Sequence, residues 1–456
     1  QYDMKGLETL GLLKLDFLGL RNLTVIDNAL KLLKERGENI DIEKIPMDDA
    51  KVYKIFAKGL TIGVFQFESS GMREFLKKLK PTVIEDLIAM NALYRPGPME
   101  NIDDFISRKH GKKKIEYAHP VMEAILEETY GIIVYQEQVM QIAHEVAGFT
   151  LAEADIMRRA VGKKIKKLMD ELKVKFIDGA LEKHNIPKKR GKEIYELIEK
   201  FAEYGLNKSH STAYAYVAYQ TAWLKTHYPA EFMSANLTSE MSNIDRVVIL
   251  INECRKLKIE VDPPDVNISS TNFRPVNHKT ISFGLNAIKN VGTKALDQIV
   301  ESRDKHGKFD SLFDFTANVS LKSVNRKVLE SLNMAGALDG LEGNRAQKYA
   351  VIETALKYGQ TIQENKARNQ VDLFGASSAN GQDTSMVPSL PQAEEWSEAQ
   401  LLEKEKEVLG MYLSGHPLLK YAEDLEEFSN FDFTDNIEQP NGSKVRIGGS
   451  ICDVKM

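Results

Sequence analysis

Four hundred and fifty-six residues, 43% hydrophobic and 28% charged, make a globular chain too long for one compact core, and roughly 100–200 residues per domain divides it into about three units. That composition excludes wholesale disorder and fibrous repeats, and no apolar run approaches the roughly 20 residues of a membrane helix. A net charge of −5 argues against a dedicated nucleic-acid coat, and Cys254 and Cys452 form neither a disulfide framework nor a metal knuckle, which fits a reducing, cytoplasmic compartment. The chain opens on Gln1 with no signal-peptide pattern and reads as a piece of a longer protein.

In chain order, Gly11–Leu20 is predicted as a buried strand running into a turn at Gly19, interrupted by Asp16, an acid that needs a partner or a metal. Residues 23–35 read as a helix, and helical periodicity continues to about residue 240, broken by Arg95-Pro-Gly-Pro98. An aromatic-rich helix follows Asn207-Lys-Ser-His-Ser211, with Ser209 or Ser211 as its cap and Pro229 as its stop. After Val261-Asp-Pro-Pro264 come short strands at about 280–283 and helix pairs to about 358. Residues 375–392 read as a flexible linker, 397–413 as a charged helix, and 444–454 as the first strand of an all-β domain.

Charge is unevenly spread. Arg158 to Lys192 holds 13 Lys/Arg against 4 Asp/Glu, while Gln392 to Pro440 holds 13 acids against 3 bases. One face for a polyanion, or simply solvated helix faces, accounts for such a split.

Five constellations carry possible chemistry. The unpaired first-turn N–H groups of the helix entered at Lys208 and His210 favour an anion, and Tyr204 stands ready to pack on a base or sugar; a plain capped helix fits the same residues. Arg158 and Arg159, with Lys163 and Lys164, add a second cationic cluster suited to phosphate. Asp16, two residues after Lys14, is either one ligand of a divalent ion or a hydrogen-bonded structural acid. Gly284–Ala295 has the outline of a helix-hairpin-helix: Ile288 and Val291 face the core, Asn290 takes the left-handed backbone, and Gly292, Thr293 and Lys294 meet a DNA phosphate, unless the segment is a plain helical hairpin. Finally, Gln370-Val-Asp-Leu-Phe374 places two large apolar groups in a polar extended stretch, as a peptide anchor for another protein's pocket does.

These segments resemble a known family in order along essentially the whole chain. They are Gly11–Leu20, Gly63-Val-Phe-Gln-Phe-Glu-Ser-Ser-Gly-Met-Arg73, Tyr94–Pro98, Tyr135-Gln-Glu-Gln138, Met157–Lys164 and Tyr204–Ser211, extended by Glu405–Gly410 and Ser414–Pro417. The family is that of the C-family replicative polymerases, the bacterial DNA polymerase III alpha subunits. The resemblance implies a mainly α multidomain (α+β) fold. Residues 1–20 would be the last strand of a polymerase palm, 21–270 helical fingers, 271–365 a tandem helix-hairpin-helix domain, 366–395 a flexible linker with a clamp-binding peptide, 396–440 a helical connector and 441–456 the start of an OB-fold β-barrel.

It also implies roles. Asp16 would be the third catalytic carboxylate and metal ligand; Lys14, Arg158, Arg159, Tyr204, Lys208 and His210 would bind the nucleoside triphosphate. Gly292, Thr293 and Lys294 would bind DNA, and Gln370, Asp372, Leu373 and Phe374 the sliding clamp. Two Mg²⁺ ions held by three aspartates would activate the primer 3′-hydroxyl and stabilise the departing pyrophosphate. Implied partners are primer-template DNA, deoxynucleoside triphosphates, the clamp, and the clamp-loader and proofreading exonuclease subunits, with no membrane. The family's Pro-Asp-x-Asp-x-Asp-Phe motif does not occur here, so this chain by itself is expected to be inactive. A clamp-tethered DNA-binding scaffold and the error-prone paralogue of the same family remain the alternative readings.

Overall fold

A computed structural model of the chain describes residues 2–202, 205–367, 387–430 and 442–449. Tyr204, the peptide Gln370–Phe374 and Cys452 lie outside the described residues. The chain divides into two units, residues 1–233 and 234–456, each helical in the main, and the second carries a small sheet. Among the described residues no helix is long and apolar enough to cross a membrane.

In the first unit, three- and four-residue apolar spacing produces amphipathic helices, most of which bury one stripe. The predicted 23–35 helix forms as Arg21–Glu35, and Ala50–Ala57, Ser70–Leu79, Ile84–Leu93 and Ile102–Lys109 follow it. Val52, Phe56, Phe67, Leu76 and Leu87 make one core with Ala215, Ala218, Tyr219 and Ala222 of the helix Lys208–His227. Each fully buried Phe or Leu there contributes about 1.5–3 kcal/mol. The small alanines let the Ile84–Leu93 helix, buried on nearly every side, lie close against Lys208–His227. Polar side chains fix that helix lengthwise: the Tyr219 hydroxyl donates to the Pro46 carbonyl at 2.9 Å, and buried Lys225 Nζ donates to the carbonyls of Leu60 and Ile62.

A second core joins Gln136–Ala147, Leu151–Gly162, Lys166–His184 and Lys188–Ala202 through Val139, Ile142, Phe149, Met157, Phe176 and Tyr195. Two of these helices cross so closely that a Cβ on Gly179 would lie 2.2 Å from the Ala147 carbonyl oxygen. Only glycine fits there.

Two sequence expectations fail in this unit. Residues 11–20 form no strand: a short helix, Met4–Thr9, precedes an irregular segment whose Leu13, Phe17 and Leu18 are 79%, 93% and 94% exposed. A strand is held by its neighbours, and the described residues offer this one no ladder partner. The cap of Lys208–His227 is Asn207, whose Oδ1 accepts from the His210 N–H at 2.9 Å, not Ser209 or Ser211. Asn is among the strongest capping residues, and the helix starts at the first residue after it. Pro229 ends this helix as expected and also opens the next, Pro229–Ser239, in the first-turn position proline tolerates.

In the second unit, Thr280–Ser282 sits at the centre of a three-stranded sheet, parallel to Glu260–Asp262 and antiparallel to Arg274–Asn277. The helices Thr293–His306, Leu312–Asn318, Arg326–Met334, Arg345–Ala350 and Ile352–Ala367 follow. The last of these runs nine residues beyond the predicted end of the helix pairs, because it packs along Leu312–Asn318: a Cβ on Gly359 would lie 2.4 Å from the Thr316 carbonyl.

The predicted charged helix is Glu398–Leu409, capped by Ser397 and ended by Gly410 at φ +74°. The segment before it is not loose. Gln347 Nε2 donates to the Pro391 carbonyl and Glu395 accepts from the N–H groups of Arg345 and Ala346, which ties 391–395 to the start of Arg345–Ala350. Of the predicted terminal strand, the described residues 442–449 form none; Val445 and Ile447 are exposed, and Asn430 bonds both Lys444 and Arg446.

Candidate functional site

The Tyr135-Gln-Glu-Gln138 segment enters the helix Gln136–Ala147, and each of its polar side chains has a different task. Gln138, three residues into the helix, accepts from the N–H groups of Val134 and Tyr135 and closes a capping box. Gln136 reaches in two directions: its Oε1 accepts from Arg158 Nη1 at 3.2 Å, and its Nε2 donates to the Gly205 carbonyl at 2.8 Å. Glu137 lies across the start of Lys208–His227, accepting from Asn207 Nδ2 at 2.7 Å and from the Lys208 N–H at 2.9 Å. A short parallel bridge between Tyr135 and Leu206 fixes the two helix entrances side by side.

Gln136 and Glu137, adjacent in the chain, thus bring the distant Arg158 and the Lys208 N–H to one helix entrance, where His210 follows in the same first turn with its N–H held by Asn207. Arg158 and Arg159 share the Asp155 carboxylate, whose pKa the Arg158 guanidinium holds below the usual carboxylate range. Lys208 Nζ is held by Glu128 at 2.7 Å and lies over the buried Tyr135 ring. The His210 ring rests on Tyr214 with centroids 4.3 Å apart, and Tyr214 in turn meets Phe65 at 5.1 Å.

The charge of this site differs from the expectation of open cations. The anion position at the start of Lys208–His227 is filled by the carboxylate of Glu137, and the basic run Arg158–Lys192 is largely paired with acids of the same or neighbouring helices. Lys175 pairs with Glu153, Lys188 with Asp178, Arg190 with Glu193, and Lys173 with Glu196 and Glu199. Lys163, Lys166 and Lys167, at the turn beyond Arg159, make no ion pair among the described residues. Gln136 and Glu137 lie in a segment that carries the family resemblance but had no role assigned from sequence, and Glu128 was not singled out; an apolar run Ile132–Tyr135 followed by three polar residues opening a helix was the available signal for the first two.

Lys14 and Asp16 form a pair of their own, Nζ to Oδ1 at 2.9 Å, with the Asp16 side chain 67% exposed. Neither makes a hydrogen bond or ion pair with the Arg158–Lys208 cluster among the described residues. One exposed carboxylate already held by a lysine does not make a metal site, and the described residues contain no group of three His, Cys, Asp or Glu side chains placed to hold an ion.

In the second unit, Asn290 takes φ +67° and its Nδ2 donates to Ser331 Oγ, locking the turn before Thr293–His306 onto the helix Arg326–Met334. Ile288 and Val291 are buried as predicted, and Gly292 caps the helix. The hairpin's first helix is a single 3₁₀ turn, Leu285–Ala287. Gly292, Thr293 and Lys294 are exposed, and their backbone N–H groups have no acceptor among the described residues. This helix entrance is open where that of Lys208–His227 is closed.

Comparison with known proteins matches these two regions separately. The family description "Bacterial DNA polymerase III alpha subunit finger domain" covers residues 22–184, and "Helix-hairpin-helix motif" covers 258–348. The chain is 46% identical over 418 residues to the DNA polymerase III subunit alpha of Caulobacter vibrioides, covering 92% of this chain and 36% of that protein. It is 45% identical over 468 residues to that of Vibrio cholerae, covering 100% and 40%, and 43% identical over 440 residues to that of Escherichia coli K12, covering 94% and 38%. It thus spans about two fifths of the length of the curated relatives it matches. With a finger-domain match on its first unit, a helix-hairpin-helix on its second and that identity along nearly all its residues, the chain belongs to the bacterial DNA polymerase III alpha-subunit family.

Proposed function

We propose that this chain supplies the nucleotide-holding fingers and a DNA-gripping hairpin domain to template-directed extension of a primer 3′ end by deoxynucleoside triphosphates. The observation that carries the reading is that Gln136 and Glu137 hold Arg158 beside the helix entrance that carries Lys208 and His210. Phosphoryl transfer asks a protein mainly to position and neutralise a triphosphate, and a cationic cluster beside a helix entrance is suited to that. Glu137 and Glu128 occupy those donors here, so a bound triphosphate takes their place as the acceptor. Arg159, Tyr204 and Lys14 are proposed to join this group. Asp16 is proposed as one carboxylate ligand for Mg²⁺ in the complete subunit. The proposed partition of the chain keeps the fingers to about residue 270 and the hairpin domain at about 271–365. Gln370, Asp372, Leu373 and Phe374 are proposed to dock on the sliding clamp, and clamp-loader and exonuclease subunits are proposed partners of the whole protein.

In the complete subunit, His210→Ala and Arg158→Ala each raise the KM for deoxynucleotides about tenfold or more, at about 1.4 kcal/mol per decade for a charge-assisted contact. DNA affinity stays within a factor of two. Steady-state incorporation at varied nucleotide, with DNA binding measured alongside, checks this; unchanged KM in both variants removes the nucleotide from this place.

A second expectation concerns the open entrance at Gly292. Duplex binding through it depends steeply on salt, each phosphate contact adding about 0.9 to the log–log slope. Lys294→Ala therefore flattens the slope by roughly one unit, as one lost phosphate contact does, without altering sequence preference. A titration of affinity against salt gives the answer, and an unaltered slope places Lys294 away from DNA. A clamp-tethered scaffold without catalysis predicts the same slope change but no effect of His210 on incorporation.

A further inference from the structure

We infer that Gln66 binds the base–sugar end of the nucleotide, donating from its carboxamide to the acceptor that every base presents on its minor-groove edge. The inference rests on the nucleotide reading above and begins with backbone geometry. Two four-residue turns follow each other, closed by Val64 N–H to the Thr61 carbonyl and by Phe67 N–H to the Val64 carbonyl. The third position of the first turn is Gly63 at φ +80°; the third position of the second is Gln66 at φ +64°. Glycine takes that left-handed conformation freely, whereas only a few per cent of other residues adopt it.

The conformation of Gln66 is imposed from outside. Phe65 and Phe67 on either side are buried, Thr61 Oγ1 donates to the Phe67 carbonyl at 2.6 Å, and the Phe65 N–H donates to Thr221 Oγ1 at 3.2 Å. The Gln66 side chain itself is exposed and makes no hydrogen bond among the described residues. Nothing in the fold needs a carboxamide here, and the backbone would be better served by glycine. A non-glycine residue held this way points to a contact outside the chain.

Its position says what that contact is. Phe65, the preceding residue, packs on Tyr214, and Tyr214 carries the His210 ring in the first turn of Lys208–His227. Gln66 thus stands on the rim of a ring stack adjoining the proposed phosphate donors. Flat rings suit a base, and a carboxamide offers a donor to the N3 or O2 acceptor that adenine and thymine share there.

The test uses the complete alpha subunit carrying Gln66→Gly or Gln66→Ala. Both variants raise the KM for all four deoxynucleotides roughly three- to tenfold, the range of one neutral hydrogen bond, with kcat within twofold of wild type. Gln66→Gly keeps or raises the melting temperature, which separates the effect from misfolding. A 3-deazapurine nucleotide, lacking the acceptor, shows the same KM increase in the wild type and no further increase in the variants. An unchanged KM in Gln66→Gly overturns the inference, as does full additivity with the 3-deaza substitution. If Arg158→Ala raises KM and Gln66→Gly does not, only Gln66 has been misread; if neither does, the nucleotide reading falls with it.

Discussion

Asp16→Ala leaves the chain folded and, in the complete subunit, lowers primer extension by at least about a hundredfold, the scale lost with one group stabilising charge in a transition state. The structure makes this a clean experiment. The Asp16 side chain is 67% exposed and its partner is Lys14, itself within the same irregular segment. An exposed pair of this kind contributes about 0–1 kcal/mol, so urea unfolding of the variant overlays the wild type, and DNA affinity is retained. A loss of synthesis then belongs to chemistry. Extension within tenfold of wild type would end the catalytic assignment of Asp16 and leave Lys14–Asp16 as a surface ion pair.

The largest effect on stability is expected at Arg345, far from any proposed chemistry. Its guanidinium is 10% exposed and bonds Asp339 Oδ2 at 2.6 Å and Glu405 Oε1 at 3.2 Å. Glu405 is itself buried, and its other oxygen accepts from the N–H groups of Leu413 and Ser414. Arg345→Ala strands that carboxylate inside the second unit, which costs about 3–5 kcal/mol. At about 2–4 °C per kcal/mol for a unit of this size, the melting temperature falls by roughly 6–20 °C. The double variant Arg345→Met with Glu405→Leu removes both charges together and recovers most of that loss. Circular-dichroism melts of the second unit's transition decide it, and a shift under 3 °C would mean that water reaches Glu405 when Arg345 is gone.

How much of this was legible beforehand differs between residues for physical reasons. Helix existence followed from periodicity, and Arg21–Glu35 and Glu398–Leu409 appear within a few residues of their predicted bounds. The left-handed turn at Asn290 was readable from residue type, because few side chains tolerate it. At Gln66 the same conformation was not readable, since the burial of Phe65 and Phe67 that imposes it depends in part on Thr221, more than 150 positions away. Gly11–Leu20 failed for a related reason: an apolar run states that burial is wanted, not which surface supplies it, and here Phe17 and Leu18 stay exposed.

Sequence by itself determined the family, the helical character, the cation-bearing segments and the hairpin turn, because these depend on local spacing and on motifs long enough to be specific. Tertiary structure alone decided that Gln136 holds Arg158 while its neighbour Glu137 holds the Lys208 N–H, and that most cations of the basic run are already paired. A formal charge is written in the residue type, but its availability depends on which carboxylate the fold brings within about 3 Å, where a hydrogen-bonded ion pair forms. Glu137 at the entrance of Lys208–His227 is the plainest case: the sequence shows an acid and a helix start 70 positions apart, and only the packed chain sets one upon the other.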